Sequence, residues 1–352
     1  MEQDLRKAAV MYDIDKMDIV ELPIPDMGKG DVLIRVKAVG ICGSDVHFFK
    51  EGRIGKRVII PPHILGHECA GEITKIGEDV KNLSVGNRVA VEPQKPCGKC
   101  EWCMKGRYNL CEDMIFMSAP HSQRLGEGAF VEYIVRPSNL VYPIPDHVSY
   151  EEAAMAEPLA VALQAIKMGK VTAGDTTAIM GAGPIALAVL LAAEAYGCKS
   201  IFMTDLIEYR LKKAAEMGAT KVFNVTETDY VNEILELTGG RGVDTVIETT
   251  GNEKAFKAAT DLAARGGTIV LVASNVNSMA LFDTAAMQVK ELGLVSIFRY
   301  SNVYKKAVDL IASGKANVKQ LITHKMPLEK VAEGINLFAG RSDGVIKVII
   351  NI

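Results

Sequence analysis

The sequence predicts an α/β protein in which a β-rich domain is joined to a doubly wound parallel sheet of six strands. Its 352 residues are enough for two domains, each with its own hydrophobic core. From the N-terminus to about Glu157, short strand-like runs are separated by Gly and Pro. From Pro158 onwards, short apolar strands alternate with helical patterns, which is typical of a parallel sheet covered by helices.

The β-rich part contains runs in which apolar residues alternate with polar ones or follow one another directly. The predicted strands are residues 31–39, 69–77, 87–92 and 129–135. The last fifty or so residues contain a predicted helix at about 304–313 and a closing strand at 345–351. We expect this end of the chain to rejoin the β-rich domain, which then comprises residues 1–157 and 299–352.

The remaining residues, 158–298, are predicted to form the parallel sheet and its helices. The six predicted strands are residues 176–180, 199–205, 221–225, 243–251, 267–274 and 292–298. The predicted helices between them are residues 184–197, 209–218, 231–239 and 255–266. A sheet of this kind binds ligands at the carboxyl ends of its strands.

Composition excludes several classes of protein. The chain is 49% hydrophobic and 24% charged with a net charge of −3, which favours neither nucleic acid nor an anionic membrane as partner. The longest nearly apolar run, residues 178–193, is interrupted by glycine and proline and is shorter than the ~20 residues that span a bilayer. Charges at Glu2, Asp4 and Arg6 argue against a signal peptide, so we expect a cytoplasmic protein.

Four cysteines with C-x2-C-x2-C-x7-C spacing are the most specific chemical signal in the chain. They are Cys97, Cys100, Cys103 and Cys111, and the residues between them include the helix and strand breakers Pro, Gly and Asn. Four thiolates on one loop can converge on a tetrahedral cation, and a set of four sulfurs suits zinc. The alternatives are a disulfide pair or unpaired core thiols. Because nothing indicates export to an oxidising compartment, the spacing favours structural zinc.

A glycine motif, GAGPIA at 181–186, follows a predicted strand and opens a predicted helix. Gly181 allows the tight turn, and Gly183 lets the backbone approach a pyrophosphate at the helix N-terminus. Ala186 takes the place of the third glycine, which this dinucleotide-binding fingerprint tolerates. By itself the motif is weak, since glycines also serve as ordinary turn residues.

Asp205 strengthens the dinucleotide hypothesis, because it closes the next strand about 20 residues downstream, where a ribose-binding acid is expected. A carboxylate there accepts a hydrogen bond from the 2′-hydroxyl of NAD and repels the 2′-phosphate of NADP. The alternative is an exposed Asp that begins the following helix. Arg210 can hold a phosphate instead, although with Asp205 in place we expect it to lie over the adenine.

A second set of potential metal ligands is scattered along the chain: Cys42, His67, Glu68 and Glu157. One thiolate, one imidazole and carboxylates suit an open zinc site with room for water or substrate. Each residue also has an ordinary structural explanation, as a buried small side chain, a loop histidine or a helix-initiating acid. No spacing rule joins these positions, so, taken individually, the residues favour the ordinary structural explanations.

Together, the motifs resemble the zinc-dependent medium-chain alcohol dehydrogenase superfamily, and within it the sorbitol (polyol) dehydrogenases. The matching segments are GICGSDVH at 40–47, GHE at 66–68, the four-cysteine loop, GAGPIA and SIFRY at 296–300. The resemblance extends over essentially the whole chain. It implies a GroES-like catalytic domain, interrupted by an inserted Rossmann NAD-binding domain.

The resemblance also implies two zinc ions per chain. A catalytic zinc would be held by Cys42, His67 and Glu68, with Glu157 as a direct or water-mediated fourth partner. The four-cysteine loop would hold the second, structural zinc. Ser44 and His47 match the positions that relay the proton, and water at Glu157 is an alternative route.

Substrate and cofactor positions are implied in the same way. The positions expected to line the polyol site are Phe48, Phe116, Arg299 and Tyr300. The positions expected to contact NAD are Gly181, Gly183, Pro184, Ile185, Asp205, Arg210, Val272, Ile297, Phe298 and Arg299. The planar guanidinium of Arg299 can bind neighbouring hydroxyls, although an ordinary salt bridge is its structural alternative.

Two departures from the family pattern concern the substrate. Phe48 stands where sorbitol dehydrogenases commonly have tyrosine, which removes one hydroxyl contact. The segment SAPHSQRLGEGAF at 118–130 replaces the usual ATPPxDG-like stretch beside the expected substrate pocket.

The predicted reaction is oxidation of a secondary hydroxyl of a sugar alcohol, such as sorbitol or xylitol, to a ketose with hydride transfer to NAD. A secondary-alcohol, 2,3-butanediol or L-threonine dehydrogenase of the same superfamily is the first alternative. A zinc-free quinone reductase and a non-catalytic NAD-binding structural protein are more remote alternatives. The expected partners are a small-molecule substrate and further copies of the chain, since the family resemblance suggests a homotetramer.

Overall fold

The chain divides into two compact units, each built around its own sheet. The computed structural model describes residues 4–120, 126–273 and 279–352. The bounds of the two units are Met1–Glu157, Tyr304–Gly314 and Val318–Ile352 for unit 1, and Pro158–Val303 and Lys315–Asn317 for unit 2. The main sheet of unit 1 is mixed, and unit 2 contains a parallel sheet of six strands, which confirms the predicted fold class.

The first 168 residues supply most of unit 1 and the helix that follows it. Their strands and helices are β1 (Leu5–Asp13), β2 (Lys16–Pro23), β3 (Asp31–Gly40), α1 (Gly43–Glu51), β4 (Arg53–Ile54), β5 (Arg57–Val58), β6 (His63–Ile64), β7 (Glu68–Ile76), β8 (Arg88–Val91), β9 (Gln94–Lys95), α2 (Glu101–Met104), β10 (Ile115–Phe116), β11 (Tyr133–Pro137), β12 (Val141–Pro143), α3 (Tyr150–Ala154) and α4 (Ala156–Met168). The β1–β2 hairpin is absent from the sequence-based prediction.

Strands and helices then alternate through unit 2, as predicted. The elements are β13 (Thr176–Met180), α5 (Pro184–Ala195), β14 (Ser200–Asp205), α6 (Glu208–Glu216), β15 (Lys221–Asn224), α7 (Tyr230–Leu237), β16 (Val243–Glu248), α8 (Glu253–Leu262), β17 (Ala263–Leu271), α9 (Thr284–Lys290) and β18 (Gly293–Ser296). The chain ends with α10 (Tyr304–Ala312), β19 (Ile322–Pro327), α11 (Val331–Gly340) and β20 (Lys347–Asn351).

The six strands of unit 2 lie in the order β15-β14-β13-β16-β17-β18, and all neighbours are parallel. The order of the strands therefore reverses direction between β13 and β16. A crevice forms at such a point because the connections on either side lead to opposite faces of the sheet. The glycine motif at 181–186 begins at the end of β13 and thus lies at this position.

The main sheet of unit 1 has the order β12-β8-β7-β3-β20-β19, with β11 also paired to β3. Strand β3 is rich in Val, Ile and Leu, which suits a strand buried on both faces. Its last residue, Gly40, pairs with Glu68 of β7 on one side and with Ile349 of β20 on the other. Three distant parts of the sequence therefore meet where β3 ends.

Several predicted elements have other bounds in the structure, and the helix predicted at 255–266 ends at Leu262, directly before β17 begins. The strands predicted at 129–135 and 267–274 differ most from the observed ones. The strand predicted at 129–135 begins later, at Tyr133, and ends at Pro137 (β11). Ala129 and Phe130 are not part of it, because their N–H groups donate to the carbonyls of Gly66 and Leu65. The strand predicted at 267–274 is the later part of β17, and its last predicted residue lies outside the described residues. Within the described part of the chain, none of the helices has the length and apolar character needed to cross a membrane.

Candidate active site

The end of β3 and the start of β7 bring three potential metal ligands together in unit 1. One ligand atom each from Cys42, His67 and Glu68 lies within 4.8 Å of the other two. Cys42 precedes α1, while His67 and Glu68 lie at the start of β7. The structure therefore joins three positions that no spacing rule connects in the sequence.

The close approach of β3 and β7 depends on a missing side chain. A Cβ atom on Gly40 would lie 2.1 Å from Oε2 of Glu68, closer than any non-bonded contact allows. Glycine at this position therefore leaves the space that the Glu68 carboxylate occupies. Both His67 and Glu68 are buried, at 3% and 1% exposure.

Asp45, on the first turn of α1, ties the segments that carry the ligands to each other. Its carboxylate accepts hydrogen bonds from the backbone N–H of Cys42 at 2.9 Å and of Gly66 at 3.1 Å. Burial by itself would lower the pKa of His67, but the negative charges of Asp45 and Cys42 raise it well above its ordinary value. The site thus stabilises positive charge at its centre, and its thiolate, imidazole and carboxylate donors fit zinc.

Lys347 is a component of this site that the sequence analysis missed. Its Nζ donates hydrogen bonds to Oε1 and Oε2 of Glu68, at 2.9 and 2.6 Å, and to the carbonyl of Ile41 at 3.0 Å. The ion pair is buried, with side-chain exposures of 2% and 1%. The sequence signal that could have identified it is a lysine between apolar residues in VIKVIIN at 345–351.

Glu157 lies outside the three-ligand group but close to it. The residue is 4% exposed, and its charge acts on Cys69, Tyr304 and Lys347. Its predicted role as a fourth zinc partner stays a prediction.

The predicted proton-relay residues differ in exposure. Ser44 is partly buried at the start of α1. His47 is exposed on α1, and its Nδ1 lies 2.9 Å from Oε1 of Glu51, one helical turn away. This contact leaves Nε2 of His47 facing away from Glu51.

The two aromatic residues predicted to line the substrate site are both buried in unit 1. Phe48 has 0% exposure and belongs to the hydrophobic core, so the structure gives it a packing role. Phe116 is 4% exposed, and its ring centroid lies 5.3 Å from that of His67. Their contact with substrate stays a prediction, and residues 121–125 of the adjacent segment lie outside the described residues.

The four cysteines of the 97–111 loop form a second potential metal centre. Their sulfur atoms lie within 4.8 Å of one another, and among the described residues no disulfide joins them. Backbone N–H groups of Cys97, Lys99 and Cys100 point at these sulfurs, at 3.2 to 3.5 Å. Hydrogen bonds from backbone N–H groups lower the pKa of Cys97, and lower that of Cys100 to about 6. Burial, in contrast, raises the pKa of Cys103 and Cys111. The loop therefore stabilises the thiolate, the form that binds zinc, at Cys97 and Cys100.

A buried carboxylate anchors this cysteine loop to the sheet. Glu92 accepts hydrogen bonds from the hydroxyl of Tyr108, inside the loop, at 2.8 Å and from that of Tyr142, on β12, at 2.9 Å. Burial raises the pKa of Glu92 despite these bonds. The arrangement ties the position of the cysteine loop to the main sheet of unit 1.

The glycine motif in unit 2 has the geometry of a phosphate-binding turn. Gly181 has φ of +107°, and a Cβ there would lie 2.6 Å from Oγ1 of Thr249. Gly183 is the N-cap of α5, and Pro184 and Ile185 form its first turn. The free N–H groups of this turn and the helix dipole favour an anion.

Asp205 lies beside this turn, at the carboxyl end of β14. Its Oδ2 accepts a hydrogen bond from the N–H of Ala182 at 2.6 Å, and its Oδ1 accepts from Leu206 and Ile207 at 2.8 and 2.9 Å. The carboxylate thus holds the glycine turn against the start of α6. The Arg210 guanidinium lies beside the same turn, since Nη1 would be 3.7 Å from a Cβ on Gly183.

Glu248, at the end of β16, is a second carboxylate at this edge, and the sequence analysis did not single it out. It is fully buried and accepts hydrogen bonds from the N–H of Thr250 at 2.7 Å and of Gly251 at 3.1 Å. Together, Asp205 and Glu248 shape the loops on both sides of β13. This is the point at which dinucleotides bind in such sheets.

The remaining predicted cofactor and substrate residues follow the last two strands of the same sheet. Val272 comes directly after β17, and Ile297, Phe298, Arg299 and Tyr300 follow β18. Arg299 adopts a left-handed backbone conformation, with φ of +52°, and its guanidinium carbon lies 4.8 Å from the centroid of the Phe298 ring. Tyr300 is fully buried.

Comparison with known proteins identifies the family to which the chain is similar. Residues 28–146 match the alcohol dehydrogenase GroES-like domain family, and residues 184–313 match the zinc-binding dehydrogenase family. The sorbitol dehydrogenase of Bacillus subtilis is 42% identical over 98% of this chain and 96% of its own length. The L-idonate 5-dehydrogenase of Vitis vinifera is 37% identical over 98% of this chain and 94% of its own. The crystal structure of an Escherichia coli oxidoreductase of unknown specificity has a TM-score of 0.93 and 33% identity, covering 99% of both chains.

The chain therefore belongs to the zinc-dependent medium-chain alcohol dehydrogenase superfamily, which confirms the resemblance found in the sequence.

The buried Lys347–Glu68 pair leads to a prediction on stability. Lys347→Met leaves Glu68 without its partner and should lower the free energy of unfolding by about 3 kcal/mol, as for other broken buried pairs. The control is Lys325→Met on β19, whose pair with Glu151 is partly exposed, at 53% and 20%, and should cost less than about 1 kcal/mol. Denaturant unfolding at equal zinc content measures both. Equal losses for the two variants would contradict the prediction.

Proposed function

We propose that this chain is a zinc-dependent polyol dehydrogenase that oxidises a secondary hydroxyl of a sugar alcohol to a ketose with NAD. The observation that carries the proposal is the convergence of Cys42, His67 and Glu68, whose potential ligand atoms lie within 4.8 Å of one another. The 42% identity to a sorbitol dehydrogenase over 98% of the chain supports a polyol as substrate.

In this proposal, Cys42, His67 and Glu68 would hold the catalytic zinc, with Glu157 as a direct or water-mediated fourth partner. The bound metal supplies Lewis-acid polarisation of the substrate hydroxyl. Glu68 can serve as a ligand while paired with Lys347, because each carboxylate oxygen has two lone pairs. Cys97, Cys100, Cys103 and Cys111 hold a second, structural zinc.

The glycine turn and the N-terminus of α5 receive the pyrophosphate of NAD, which accepts the hydride when bound. Asp205 accepts a hydrogen bond from the 2′-hydroxyl of the adenosine ribose. Arg210 would lie over the adenine, and Pro184, Ile185, Val272 and residues 297–299 would contact other parts of the cofactor.

The proton released from the substrate hydroxyl leaves through Ser44 and His47. The side chain of His47 is suited to the last transfer, because it is exposed and its Nε2 can exchange a proton with water. A water molecule at Glu157 is the second route.

Hydroxyls that the zinc does not bind must be recognised by other groups, and we assign this role to Arg299 and Tyr300. Both follow β18 at the carboxyl edge of the sheet, where ligands bind in this fold. The guanidinium offers several donors in one plane, which suits neighbouring hydroxyl oxygens. Phe48 and Phe116 are assigned to the apolar wall of the site.

The same family resemblance extends to the organisation of the protein. We assign catalysis to a GroES-like domain of residues 1–157 and 299–352, and NAD binding to residues 158–298. We also propose a homotetramer located in the cytoplasm.

The first prediction concerns metal content. Elemental analysis of metal-complete protein should give two zinc ions per chain. Cys42→Ser should remove one zinc and abolish turnover with the fold intact, whereas Cys100→Ser should lower stability, because a structural zinc contributes folding energy. Cys198→Ser is the matched control, since Cys198 lies in neither ligand group and should keep both ions. A wild-type value of zero or one zinc would be incompatible with the proposal.

The second prediction concerns the cofactor. Wild-type kcat/KM should be higher with NAD than with NADP by on the order of 10- to 100-fold, because a 2′-phosphate meets the Asp205 carboxylate and cannot donate to it. Asp205→Ala should lower the ratio of kcat/KM with NAD to kcat/KM with NADP. Asp229→Ala, which removes the N-cap of α7, is a control that should leave the ratio unchanged. An equal or higher kcat/KM with NADP in the wild type would show that Asp205 has another role.

The third prediction concerns the substrate. Among sorbitol, xylitol, L-idonate, 2,3-butanediol, L-threonine and 2-propanol, at saturating NAD, a sugar alcohol should give the highest kcat/KM. Arg299→Ala should reduce polyol turnover on the order of 10- to 100-fold more than 2-propanol turnover, because only the polyol loses hydrogen bonds. Arg265→Ala, which removes a surface bond to the Val289 carbonyl, should leave this ratio unchanged. If 2-propanol, butanediol or threonine is the best substrate, the polyol assignment fails and the zinc dehydrogenase remains.

A further inference from the structure

Ser118 lies against the ring of His67, and no role has been assigned to it above. We propose that Ser118 is a positioning residue that holds the His67 imidazole in the orientation required for metal binding. This inference rests on the proposed function for the identity of the metal, but it concerns a contact made by the chain's own residues.

The distances around His67 indicate that Ser118 is its hydrogen-bond partner. Nδ1 of His67 lies 3.0 Å from Oγ of Ser118 and 3.7 Å from Oδ1 of Asp45. The longer distance exceeds that of a hydrogen bond. The Asp45 carboxylate is already engaged by the N–H groups of Cys42 and Gly66. Asp45 therefore acts on the ring through its charge, while Ser118 makes the directional contact.

Because the contact engages Nδ1, it leaves Nε2 as the nitrogen of His67 that is available to a metal. With Nδ1 donating its proton to Oγ of Ser118, Nε2 carries the free lone pair that a cation needs. The ring of Phe116 packs near the imidazole at an interplanar angle of 55° and restricts its rotation. Residues that orient a metal-binding imidazole in this way typically change metal affinity or activity by about 10- to 100-fold when removed.

Ser118 itself is held in place through both its backbone N–H and its backbone carbonyl. The residue is fully buried with φ of +61°, a conformation that costs energy for any residue other than glycine. Its N–H donates to the carbonyl of Gly126 at 2.9 Å, and its own carbonyl lies 3.2 Å from Nε2 of His63. A tight turn formed by the bridge between Phe116 and Ala119 surrounds it.

Gly126 makes this arrangement possible. A Cβ on Gly126 would lie 2.3 Å from the carbonyl oxygen of Phe116, so only glycine allows the two segments to approach. The turn that carries Ser118 opens the stretch in which this chain departs from the ATPPxDG-like pattern of its family. The hydroxyl is thus carried by a turn whose backbone is held by Gly126.

The experiment compares zinc-loaded wild type with Ser118→Ala and Ser118→Gly. Alanine removes the hydroxyl and keeps the backbone strain, whereas glycine removes the hydroxyl and relieves the strain. A loss of zinc affinity that both variants share is therefore due to the missing hydroxyl. Zinc affinity at the Cys42 site is measured by competition with a chromogenic chelator. The absorption bands of the cobalt-substituted site report ligand geometry independently of turnover.

Both variants should bind zinc about 10-fold more weakly at the Cys42 site and show shifted cobalt bands. The matched control is Ser149→Ala, which removes the hydroxyl that caps α3 in the same unit. It should lower stability while leaving zinc affinity and the cobalt bands unchanged. The zinc at the four-cysteine loop should be retained by all variants.

Wild-type affinity and an unshifted cobalt spectrum in both Ser118 variants would overturn this inference alone. The glycine variant keeps the test decisive if alanine does not fold, because φ of +61° is unstrained for glycine. If the wild type bound no more metal than Cys42→Ser, the proposed function would fail, and this inference with it. The two failures are therefore distinguishable.

Discussion

The pairing of β3 with β7 is the constraint on which the rest of the candidate active site depends. It sets Gly40 beside Glu68, and only a residue without a Cβ leaves space for the carboxylate there. From this register, Cys42 follows the end of one strand and His67 lies at the start of the other, so their donor atoms converge. A shift of the β3–β7 register by one residue would turn Glu68 to the opposite face of the sheet, away from Cys42 and His67.

Burying this concentration of negative charge requires compensation from the surrounding structure. Lys347 supplies it from β20, on the other side of β3, where its ammonium group contacts both oxygens of Glu68. Asp45 uses its carboxylate to bind two backbone N–H groups while its charge acts on His67. Charges buried in this way are stable only as a connected set, because each would be costly alone. The site is therefore inseparable from the packing of unit 1.

Carboxylates that accept several hydrogen bonds organise both units. In unit 2, Asp205 and Glu248 shape the loops that follow β14 and β16, on either side of the glycine turn. In unit 1, Glu92 anchors the cysteine loop through two tyrosine hydroxyls. Loops that carry ligands must hold their shape without the hydrogen bonds of a helix or sheet. A carboxylate offers several hydrogen-bond acceptors at one point and so takes the place of the missing helix or sheet hydrogen bonds.

The sequence by itself determined the α/β class, the cysteine loop and the dinucleotide turn, because each depends on residues that are close together along the chain. The spacing of Cys97 to Cys111 already places four sulfurs on one loop, and strand–glycine–helix is a local pattern. For Cys42, His67 and Glu68, residue types alone favoured ordinary structural roles, and the family resemblance was needed to predict a metal site. Only the tertiary structure decided that Phe48 packs in the core and that Lys347 pairs with Glu68, 279 residues away along the chain. Nor does any local pattern encode the contact of Ser118 with His67, since such partners are selected by how strands align and loops pack.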